Sequence, residues 1–323
     1  MEIRQLKHFL AVYERRHYGR AAAHVGLSQS ALTKSIAKLE SSLQVKLFER
    51  GRYGAVPTPF GDSLANRAKI ILAEERIAGS EISELKGASR GTVYFGMGFS
   101  CAHRIVPMAL IRLAKSHPGV AAIAVEGASR DLVERLLQGE FDFVLGSPAD
   151  MSDPDPELRA ECVFRDRDVV VSGRGHPMAR RSDVSISELA EQPWAVSHRY
   201  PEMLRHIQKV FMAEGVTPPK ALVRTDSLAL MLALVLEGNH LALFSEEFLT
   251  IQSDMAAIRE LRGCPFRRIR TGYLIHRRRT RLQPAAAALA GHVRSVCQEL
   301  YGPVVATTDP NPLAKSVSDM DKG

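Results

Sequence analysis

The sequence predicts a protein of α and β structure in three parts: an N-terminal winged helix-turn-helix, a long linker helix and a C-terminal α/β domain of two lobes. Three observations support this fold class. Helical patterns surround a glycine turn near residue 26. Residues 61–85 contain no proline and repeat apolar or small residues at steps of three and four. Beyond residue 91, short runs of β-forming residues alternate with helical stretches, which is typical of α/β structure.

Two short helices are predicted before the glycine turn. Residues 3–14 place their apolar side chains on one side, and residues 18–25 contain three consecutive alanines that allow a second helix to cross closely. Gly26 then supplies the turn, Leu27 is expected to be its buried contact, and Ser28 is a favourable N-cap for a third helix. This arrangement is that of a helix-turn-helix.

The third helix has two unlike faces. Leu32, Ile36 and Leu39 recur at helical spacing and predict a buried stripe. The opposite face has no carboxylate before Glu40, and its small polar groups and lysines suit base edges and phosphates in a major groove. An ordinary amphipathic surface helix is the alternative for this segment by itself. The candidate DNA contacts here are Ser28, Gln29, Ser30, Thr33, Lys34 and Lys38.

A wing is predicted after this helix. Two brief extended segments, the second ending at Thr58, flank a tip bounded by Gly51 and Gly54. Arginine is favoured in a minor groove by the negative potential there. A solvated turn is the alternative for each residue of the tip. The further candidate DNA contacts are Arg50, Arg52, Tyr53 and Thr58.

Charge separates the N-terminal part from the rest. The formal net charge is +7, and residues 1–59 contain ten basic but only four acidic side chains, so nearly all of the excess lies beside the predicted recognition helix. No run approaches the roughly 20 apolar residues of a membrane helix, and the N-terminus has no signal-peptide pattern. We therefore expect a cytoplasmic protein with nucleic acid, not a membrane, as its partner.

A continuous pattern of specific residues runs through positions 3–50. It comprises Ile3–Val12, Ala21–Ala22, Leu27–Leu32, Ile36, Leu39–Glu40, Leu43 and Leu47–Arg50. This pattern resembles the N-terminal domain of LysR-type transcriptional regulators. Ser30, Thr33 and Gln44 depart from the family pattern, which commonly has proline, serine and glycine at these positions.

The resemblance implies a function and a set of partners. It implies a transcription regulator that binds an inverted-repeat promoter site in double-stranded DNA and is controlled by a small-molecule effector. It also implies a homodimer formed through the linker helix, a homotetramer built from two such dimers, and RNA polymerase as a further partner. On this view the chain is not an enzyme and needs no cofactor or metal.

Domain boundaries follow from the composition. The winged helix-turn-helix covers residues 1–58, and the linker helix covers residues 59–88, with a seam that runs from Leu64 to Leu85 and is interrupted at Glu75. We expect this seam to pair with a second copy; packing on its own chain is the alternative. Residues 304–323 are rich in Pro, Asp, Ser and Thr and are expected to form a flexible tail.

Residues 91–303 are predicted to form the effector domain, which resembles a type 2 periplasmic binding protein. Lobe 1 is expected at about 91–163 and 271–303, and lobe 2 at about 164–270. Two long strands, 164–172 and 268–276, are expected to cross between the lobes, and a last helix should start at Pro284. The repeated strand-helix units predict parallel sheets.

Hydroxyl groups recur where the predicted strands of this domain end. Ligands of open parallel sheets bind at these ends, where helix N-termini offer free N–H groups. A ring of hydroxyls with His198 or Arg199 as counter-charge suits a small organic anion or another small metabolite. Each serine taken singly is more often a helix cap. The candidate effector contacts are Ser100, Cys101, Ser129, Ser147, Ser197, His198, Arg199, Thr225 and Phe244.

Three other functions are alternatives to an effector-controlled regulator. An α/β enzyme with a regulatory helix-turn-helix is disfavoured because the glycine-rich stretch 96–102 lacks the closing glycine of either a dinucleotide loop or a nucleophile elbow. A thiol-based redox regulator would use Cys101, which begins a helix, but no resolving cysteine is evident. A solute-binding transport protein is disfavoured by the missing signal peptide. The histidines show no metal-binding spacing.

Overall fold

The computed structural model describes residues 1–51, 54–85, 91–147, 155–198, 200–220, 222–250, 257–264, 266 and 268–303. Its first elements are helices α1 (Ile3–Arg15), α2 (Tyr18–His24) and α3 (Gln29–Leu43), strands β1 (Phe48–Gly51) and β2 (Gly54–Pro57), and the long helix α4 (Pro59–Leu85). They match the elements that the sequence predicts for a winged helix-turn-helix and its linker. The predicted linker residues 86–88 and the tail 304–323 lie outside the described residues.

One hydrophobic core joins the first three helices and the hairpin. Leu6, Phe9, Leu32 and Ile36 are each at most 1% exposed, and the rings of Phe9 and Phe48 lie 5.4 Å apart. Because β1 and β2 pair in antiparallel fashion and Phe48 enters this core, the wing is part of the domain. Met1–Gly91 and Glu134–Asp142 together form the N-terminal unit.

Helix α4 is divided between buried and exposed seam positions. Ala68 is fully buried in the N-terminal core and Ile71 packs against it, so the first half of the predicted seam is covered by the chain's own helices. Packing on its own chain was the less favoured alternative for this segment, and it holds for this half. Ala78 is exposed and Ile82 is 55% exposed, so these positions of the second half stay open to solvent.

Segment Glu134–Asp142 is attached to α4 within the N-terminal unit by charged groups. Lys69 Nζ lies 2.8 Å from Glu140 Oε1, and Arg76 Nη2 lies 3.0 Å from Asp142 Oδ1. The Asp142 side chain is only 5% exposed, so its ion pair is better shielded from water than an ordinary surface pair.

Thr92–Val133 and Phe143–Gly323 form the C-terminal unit. Two 3-10 turns lie at Phe99–Cys101 and Glu246–Thr250. The strands are β3 (Gly91–Met97), β4 (Val120–Glu126), β5 (Phe143–Gly146), β6 (Leu158–Gly173), β7 (Trp194–Val196), β8 (Leu222–Arg224), β9 (Ala242–Ser245), β10 (Ile258–Glu260) and β11 (Ile269–Arg277). The helices are α5 (Ile105–Ser116), α6 (Ser129–Leu137), α7 (Ile186–Ala190), α8 (Pro201–Ala213), α9 (Leu228–Glu237) and α10 (Pro284–Tyr301).

The main sheet of this unit is mixed, whereas the sequence predicted parallel sheets. Its strand order is β10-β6-β11-β5-β3-β4, with β9 also paired to β6. β3 and β5 are parallel, as are β7 and β8, but the two crossing strands β6 and β11 are antiparallel to each other. β6 begins at Leu158 rather than Phe164 because its first residues pair with β11 and its last residues with β9 and β10.

Two groups of core residues define two lobes along β6. The core of lobe 1 contains Val93, Phe143 and Leu289, whereas that of lobe 2 contains Val170 and Trp194. Each group collects side chains from strands and helices on its own side of the crossing strands. The two-lobed architecture expected from the sequence is therefore present.

A buried group of charges joins the two crossing strands. Arg270 Nε on β11 lies 2.7 Å from Asp168 Oδ1, and Arg270 Nη2 donates a hydrogen bond of 3.0 Å to Asp166 Oδ2 on β6. Arg268 adds a longer ion pair of 3.8 Å to Asp168. The Asp168 side chain is 1% exposed, and burial raises its pKa. These charges lie between the two lobes.

None of the helices that the structure describes is both long enough and apolar enough to cross a membrane.

Candidate nucleic-acid interface and effector pocket

The turn between α2 and α3 positions the recognition helix. Gly26 has a φ of 68°, a left-handed conformation that costs glycine little, and Ser28 Oγ accepts a hydrogen bond of 3.2 Å from the Ala31 amide. Leu27 is 36% exposed, so the prediction that it is the buried contact was wrong. Val25, which ends α2, packs against the core instead.

Helix α3 exposes the face that the sequence predicted. Leu32, Ile36 and Leu39 are at most 1% exposed, so the helix can present only its other side to a partner. The exposed residues of that side include Gln29, Ser30, Thr33, Lys34 and Lys38, together with Ser28 at the N-cap. The helix and its N-cap residue therefore bring six candidate DNA contacts onto one surface.

The hydrogen bonds of this surface leave its groups able to bind a partner. Thr33 Oγ1 donates to the Gln29 carbonyl at 2.8 Å, which leaves its oxygen lone pairs as acceptors. Ser30 Oγ lies 3.1 Å from Ser28 Oγ. Lys38 Nζ contacts Glu2 at 3.3 Å with both side chains largely exposed, and such a pair is weak enough to be exchanged for a phosphate.

The wing is held by close backbone contacts. The Ala55 amide donates a hydrogen bond of 2.8 Å to the carbonyl of Arg16. A Cβ at Gly54 would lie 2.1 Å from that same oxygen, so this position requires glycine. Of the predicted wing contacts, Arg52 and Tyr53 lie outside the described residues, as does the side chain of Arg50.

Thr58 has a structural position rather than one on the interface. Its side chain is buried, and its Oγ1 donates a hydrogen bond of 2.6 Å to the Lys46 carbonyl and accepts one of 3.2 Å from the Gly61 amide. We therefore assign Thr58 to the start of α4 and remove it from the predicted DNA contacts. The physical reason is that the first amides of α4 need an acceptor, which this hydroxyl supplies.

Glu40 is a positioning residue that the sequence analysis did not single out. Its buried carboxylate accepts hydrogen bonds from the amides of Leu47 at 2.8 Å and Phe48 at 3.3 Å, and pairs with Lys46 Nζ at 2.9 Å. It therefore ties the end of α3 to the first strand of the wing. The available signal was an acidic residue directly beside the apolar stripe, next to Leu39.

A cavity that is open to solvent lies in the C-terminal unit, between the two lobes. Lobe 1 contributes Phe99 and Glu126 to its lining, and lobe 2 contributes the other residues. This position matches the ends of strands at which the sequence predicts ligand binding. The lining consists of Phe99, Glu126, Ser197, Tyr200, Met203, Thr225, Asp226, Leu228, Met231, Leu243 and Phe244.

The cavity gathers only part of the predicted effector contacts. Ser197, Thr225 and Phe244 line it. Arg199 lies outside the described residues, and His198 is exposed and does not line it. The remaining candidates, Ser100, Cys101, Ser129 and Ser147, are not in the lining either.

The 3-10 turn after β3 explains why Phe99 lines the cavity while the predicted contacts Ser100 and Cys101 do not. A 3-10 turn has three residues per turn, so its successive side chains point in different directions. Phe99 lines the cavity, whereas Cys101 is fully buried in the core of lobe 1. The sequence contained no indication of which of these residues would face the ligand.

Tyr200 bridges the two lobes at the cavity. Its hydroxyl accepts a hydrogen bond of 3.1 Å from the Phe99 amide and donates one of 3.3 Å to the Gly127 carbonyl. Both backbone groups follow strands of lobe 1, whereas Tyr200 precedes α8 of lobe 2. The sequence analysis missed this residue, although an aromatic ring directly before Pro201 was a visible signal.

Polar groups of lobe 2 line the opposite side of the cavity. Ser197 Oγ donates to Asp226 Oδ1 at 3.4 Å, and Thr225 Oγ1 accepts a hydrogen bond of 3.0 Å from the Ser227 amide. Ser227 in turn caps α9 by accepting from the Leu230 amide. The hydroxyls therefore shape the loop before α9 as well as the cavity.

The cysteines are unsuited to redox sensing. Cys101 is fully buried, and burial raises the pKa of its thiol to about 12, so the thiol is protonated at neutral pH. Burial also raises the pKa of Cys162, Cys264 and Cys297. Because the thiolate is the reactive form, these thiols are poor oxidant sensors. All four cysteines are free of disulfides.

A helix-turn-helix with an exposed polar and cationic face, joined to a two-lobed domain around a cavity, defines a DNA-binding regulator that responds to a small ligand. Comparison with known families agrees. Residues 3–62 match the family described as bacterial regulatory helix-turn-helix protein, lysR family, and residues 86–298 match the LysR substrate binding domain. The chain belongs to the LysR family of transcriptional regulators.

Individual relatives support this assignment over most of the chain. The HTH-type transcriptional regulator GbpR of Azospirillum brasilense is 32% identical over 252 residues, which cover 76% of this chain and 72% of that protein. The SDS degradation transcriptional activation protein of a Pseudomonas species is 30% identical, covering 90% of this chain and 94% of the relative.

The fold also matches solved structures. Full-length CbnR complexed with its target DNA has a TM-score of 0.65 and 20% sequence identity, covering 92% of this chain and 100% of that chain.

Proposed function

We propose that this LysR-type regulator inserts α3 into the major groove of an inverted-repeat promoter site and changes its DNA binding when a small metabolite occupies the interlobe cavity. The exposed face of α3 carries this proposal. Its small polar groups lie near the N-terminus of the helix and its lysines lie behind them, an order that places the former against base edges and the latter against phosphates.

Gln29, Thr33 and Lys34 have different roles on this face. Gln29 and Thr33 read bases, because amide and hydroxyl groups match the donor and acceptor pattern of the major groove. Lys34 and Lys38 contact phosphate, and Arg50, Arg52 and Tyr53 extend the contact to the adjacent groove through the wing. Ser28 and Ser30 lie at the leading end of the helix, close to the sugar-phosphate chain.

The regulator works as a homo-oligomer in the cytoplasm, where its DNA is. The exposed Ala78 and Ile82 of α4 supply the apolar contact between two copies, while the first half of the helix stays on its own domain. A dimer matches the two halves of an inverted repeat by symmetry. Two dimers form a tetramer, and RNA polymerase is the partner through which the bound regulator controls transcription.

Effector control follows from the place of the cavity. A ligand that touches both lobes binds one lobe arrangement more tightly than another, and this difference in affinity is the only means by which it can change the regulator. The CbnR structure with DNA supports the same use of the fold, since it is described as a complex with the target DNA. The named relatives are a transcriptional regulator and a transcriptional activation protein.

Gel shifts with the promoter fragment upstream of the gene at several salt concentrations test the DNA contacts. We expect Gln29→Ala or Thr33→Ala to cost about 1 to 3 kcal/mol at the cognate site and little on random DNA. Lys34→Ala should weaken binding to every sequence and reduce the salt slope by about 1. The matched control is Lys115→Ala, which removes an exposed lysine of α5 and should change neither quantity.

Two results would contradict the proposal. Equal losses on specific and random DNA in Gln29→Ala would remove its base-reading role. Unchanged salt dependence in Lys34→Ala would show that α3 does not meet the phosphates.

A further inference from the structure

One segment of the N-terminal unit is remote from the rest of that unit in the sequence. Glu134–Asp142 packs with Met1–Gly91, although the chain before it, to Val133, and after it, from Phe143, belongs to the C-terminal unit. The segment contains the last residues of α6 and ends directly before β5. The chain therefore passes from the C-terminal unit into the N-terminal unit and back at this segment.

One face of α4 holds this segment. Lys69, Ala73, Arg76 and Ile77 follow one another at helical spacing, so they lie along one stripe of the helix. Ala73 and Ile77 are each 6% exposed, so this stripe is covered. The two cations of the stripe, Lys69 and Arg76, are those that pair with carboxylates of the segment.

Glu140 is bonded both to α4 and to the end of α6. Lys69 Nζ donates hydrogen bonds of 2.8 Å to Glu140 Oε1 and 2.7 Å to Gln138 Oε1, and Arg135 Nε of α6 donates one of 2.7 Å to Glu140 Oε2. Burial opposes ionisation of Glu140, but the hydrogen bonds from Lys69 and Arg135 lower its pKa below the usual value. Glu140 is therefore a charged contact between the two helices at neutral pH.

The strength of this contact allows it to be exchanged. The side chains of Lys69 and Glu140 are 22% and 29% exposed, and an ion pair that water reaches changes an equilibrium constant by about fivefold at most. The group around Arg270 on the crossing strands is far more buried, so it is much harder to break. Of these two charged contacts, the one on α4 can respond to a ligand while the crossing strands stay paired.

The elements on both sides of the segment lead to the interlobe cavity. α6 begins two residues after Gly127, whose carbonyl accepts the hydrogen bond from the Tyr200 hydroxyl, and its nine residues span about 13 Å. Near the end of β5, the Leu145 carbonyl accepts a hydrogen bond of 2.8 Å from the Gly98 amide, next to the lining residue Phe99. We call residues 126–129, between β4 and α6, the rim loop.

We propose that segment Glu134–Asp142 transmits the state of the interlobe cavity to the DNA-binding unit, because it is bound to α4 in one lobe arrangement and released from α4 in the other. This inference rests on the proposed function, in which the cavity is the effector site. A ligand that shifts the rim loop moves α6, and the far end of α6 is connected to α4 through Glu140. Coupling between two sites is reciprocal, so DNA on α3 must also change the rim loop. Promoter DNA can therefore serve as the probe.

Hydrogen-deuterium exchange of the full-length protein, followed by mass spectrometry, tests the proposal first without DNA. Lys69→Glu or Glu140→Lys replaces an attraction by a repulsion. In each variant we expect exchange to rise at least about threefold in residues 138–142 and at least about twofold in the rim loop. The double variant Lys69→Glu/Glu140→Lys restores the opposite charges and should return both to the parent values.

The same measurement with the promoter fragment tests transmission from the DNA side. Bound DNA should change rim-loop exchange in the parent and in the double variant, but in neither single variant. The matched control is Arg112→Glu, which removes a partly exposed ion pair with Glu299 in lobe 1 and should leave rim-loop exchange as in the parent. Melting temperatures verify that each variant is folded.

Several outcomes would overturn the proposal. Faster exchange in residues 138–142 with an unchanged rim loop would show that the segment only stabilises α4 locally. Unchanged exchange in both single variants, no recovery in the double variant, or a rim loop unaffected by bound promoter DNA in the parent would also contradict it. If the parent does not bind the promoter, the proposed function fails, whereas the exchange measured without DNA still decides whether the segment connects α4 to the rim loop.

Discussion

The recognition helix and the interlobe cavity present their polar side chains in opposite ways. Helix α3 and its N-cap residue carry six candidate contacts on an exposed face, and the inner residues of the helix hold it in place. In the cavity, Phe99, Glu126, Ser197 and Asp226 come from separate parts of the C-terminal unit and meet only because two lobes face each other. The first site can therefore change without affecting the fold, whereas the second depends on the contacts that set the lobe arrangement.

The buried charged residues of the two units also differ in whether they connect nearby or distant parts of the chain. Glu40 in the N-terminal unit connects neighbouring stretches of one small domain. Arg270, Asp166 and Asp168 connect two strands that are far apart in the sequence and run between the lobes. Removing the Glu40 carboxylate should loosen the wing, whereas removing a charge from the Arg270 group should destabilise the whole C-terminal unit.

The largest effect is expected from Arg270→Met, which leaves two buried carboxylates without their main cation. Breaking a buried ion pair by removing one partner costs about 3 to 5 kcal/mol. Urea unfolding should show this loss in the C-terminal unit. As a control, Arg294→Ala removes an exposed ion pair with Glu161 and should cost at most about 1 kcal/mol. Equal losses in the two variants would show that the crossing strands need no charge pairing.

Glu40→Ala tests whether the DNA-binding face of α3 depends on the contact between the end of this helix and the wing. Two buried amides, of Leu47 and Phe48, lose their acceptor, and we expect a loss of about 2 to 3 kcal/mol in unfolding free energy. Specific DNA affinity should fall with it, because the wing is no longer tied to α3. Glu40→Gln, which keeps an acceptor oxygen, should lose less of both. A stable variant with normal DNA binding would contradict the positioning role.

A pH dependence is expected for the C-terminal unit from His206. Burial lowers its pKa from 6.5 to about 4, so the folded protein keeps it neutral while the unfolded chain takes up a proton. Its contribution is therefore intact above about pH 6.5 and is lost as pH falls toward 4, by about 2 kcal/mol after allowance for partial exposure. Urea titrations should show a smaller acid loss in His206→Gln than in the parent. His24→Gln, an exposed control, should follow the parent.

The smallest effect is expected at the start of the recognition helix. Ser28→Ala removes the acceptor for the Ala31 amide and should cost about 1 kcal/mol of stability. Thermal unfolding measures this loss, and Ser28→Asn, which can also cap, should restore most of it. If DNA affinity falls further than the stability loss explains, Ser28 contacts DNA as well; recovery of stability without recovery of affinity in Ser28→Asn would show the same.

Much of the N-terminal unit could be predicted because its signals are local. The spacing of Leu32, Ile36 and Leu39 and the Gly26–Ser28 turn identify the helix, its start and its exposed face from neighbouring residues. Leu27 and Thr58 were the exceptions. Their burial depends on how the turn and α4 meet the core, which helical spacing does not report. Dimer contacts along α4 stay a prediction. The first half of this helix packs on its own chain, so the prediction concerns its second half.

In the α/β domain, local sequence patterns predicted less of the final structure. The second crossing strand and the start of the last helix at Pro284 were predicted closely, and three residues of the cavity were among the candidates. The mixed sheet was not foreseen, because strand direction is set by pairing between β6 and β11 rather than by the composition of either. The hydroxyls at the other strand ends do not line the cavity; one of them, Ser100, lies in a 3-10 turn.

The sequence by itself determined a helix-turn-helix with a cationic outer face, a long linker helix and an alternation of strands and helices, because each of these patterns repeats within a few residues. Only the tertiary structure decided that the Tyr200 hydroxyl accepts a hydrogen bond from the Phe99 amide, and that Glu126 and Asp226 lie on either side of one cavity. These contacts between distant residues depend on long-range strand pairing and on the placement of two lobes. No single stretch of the chain contains that information.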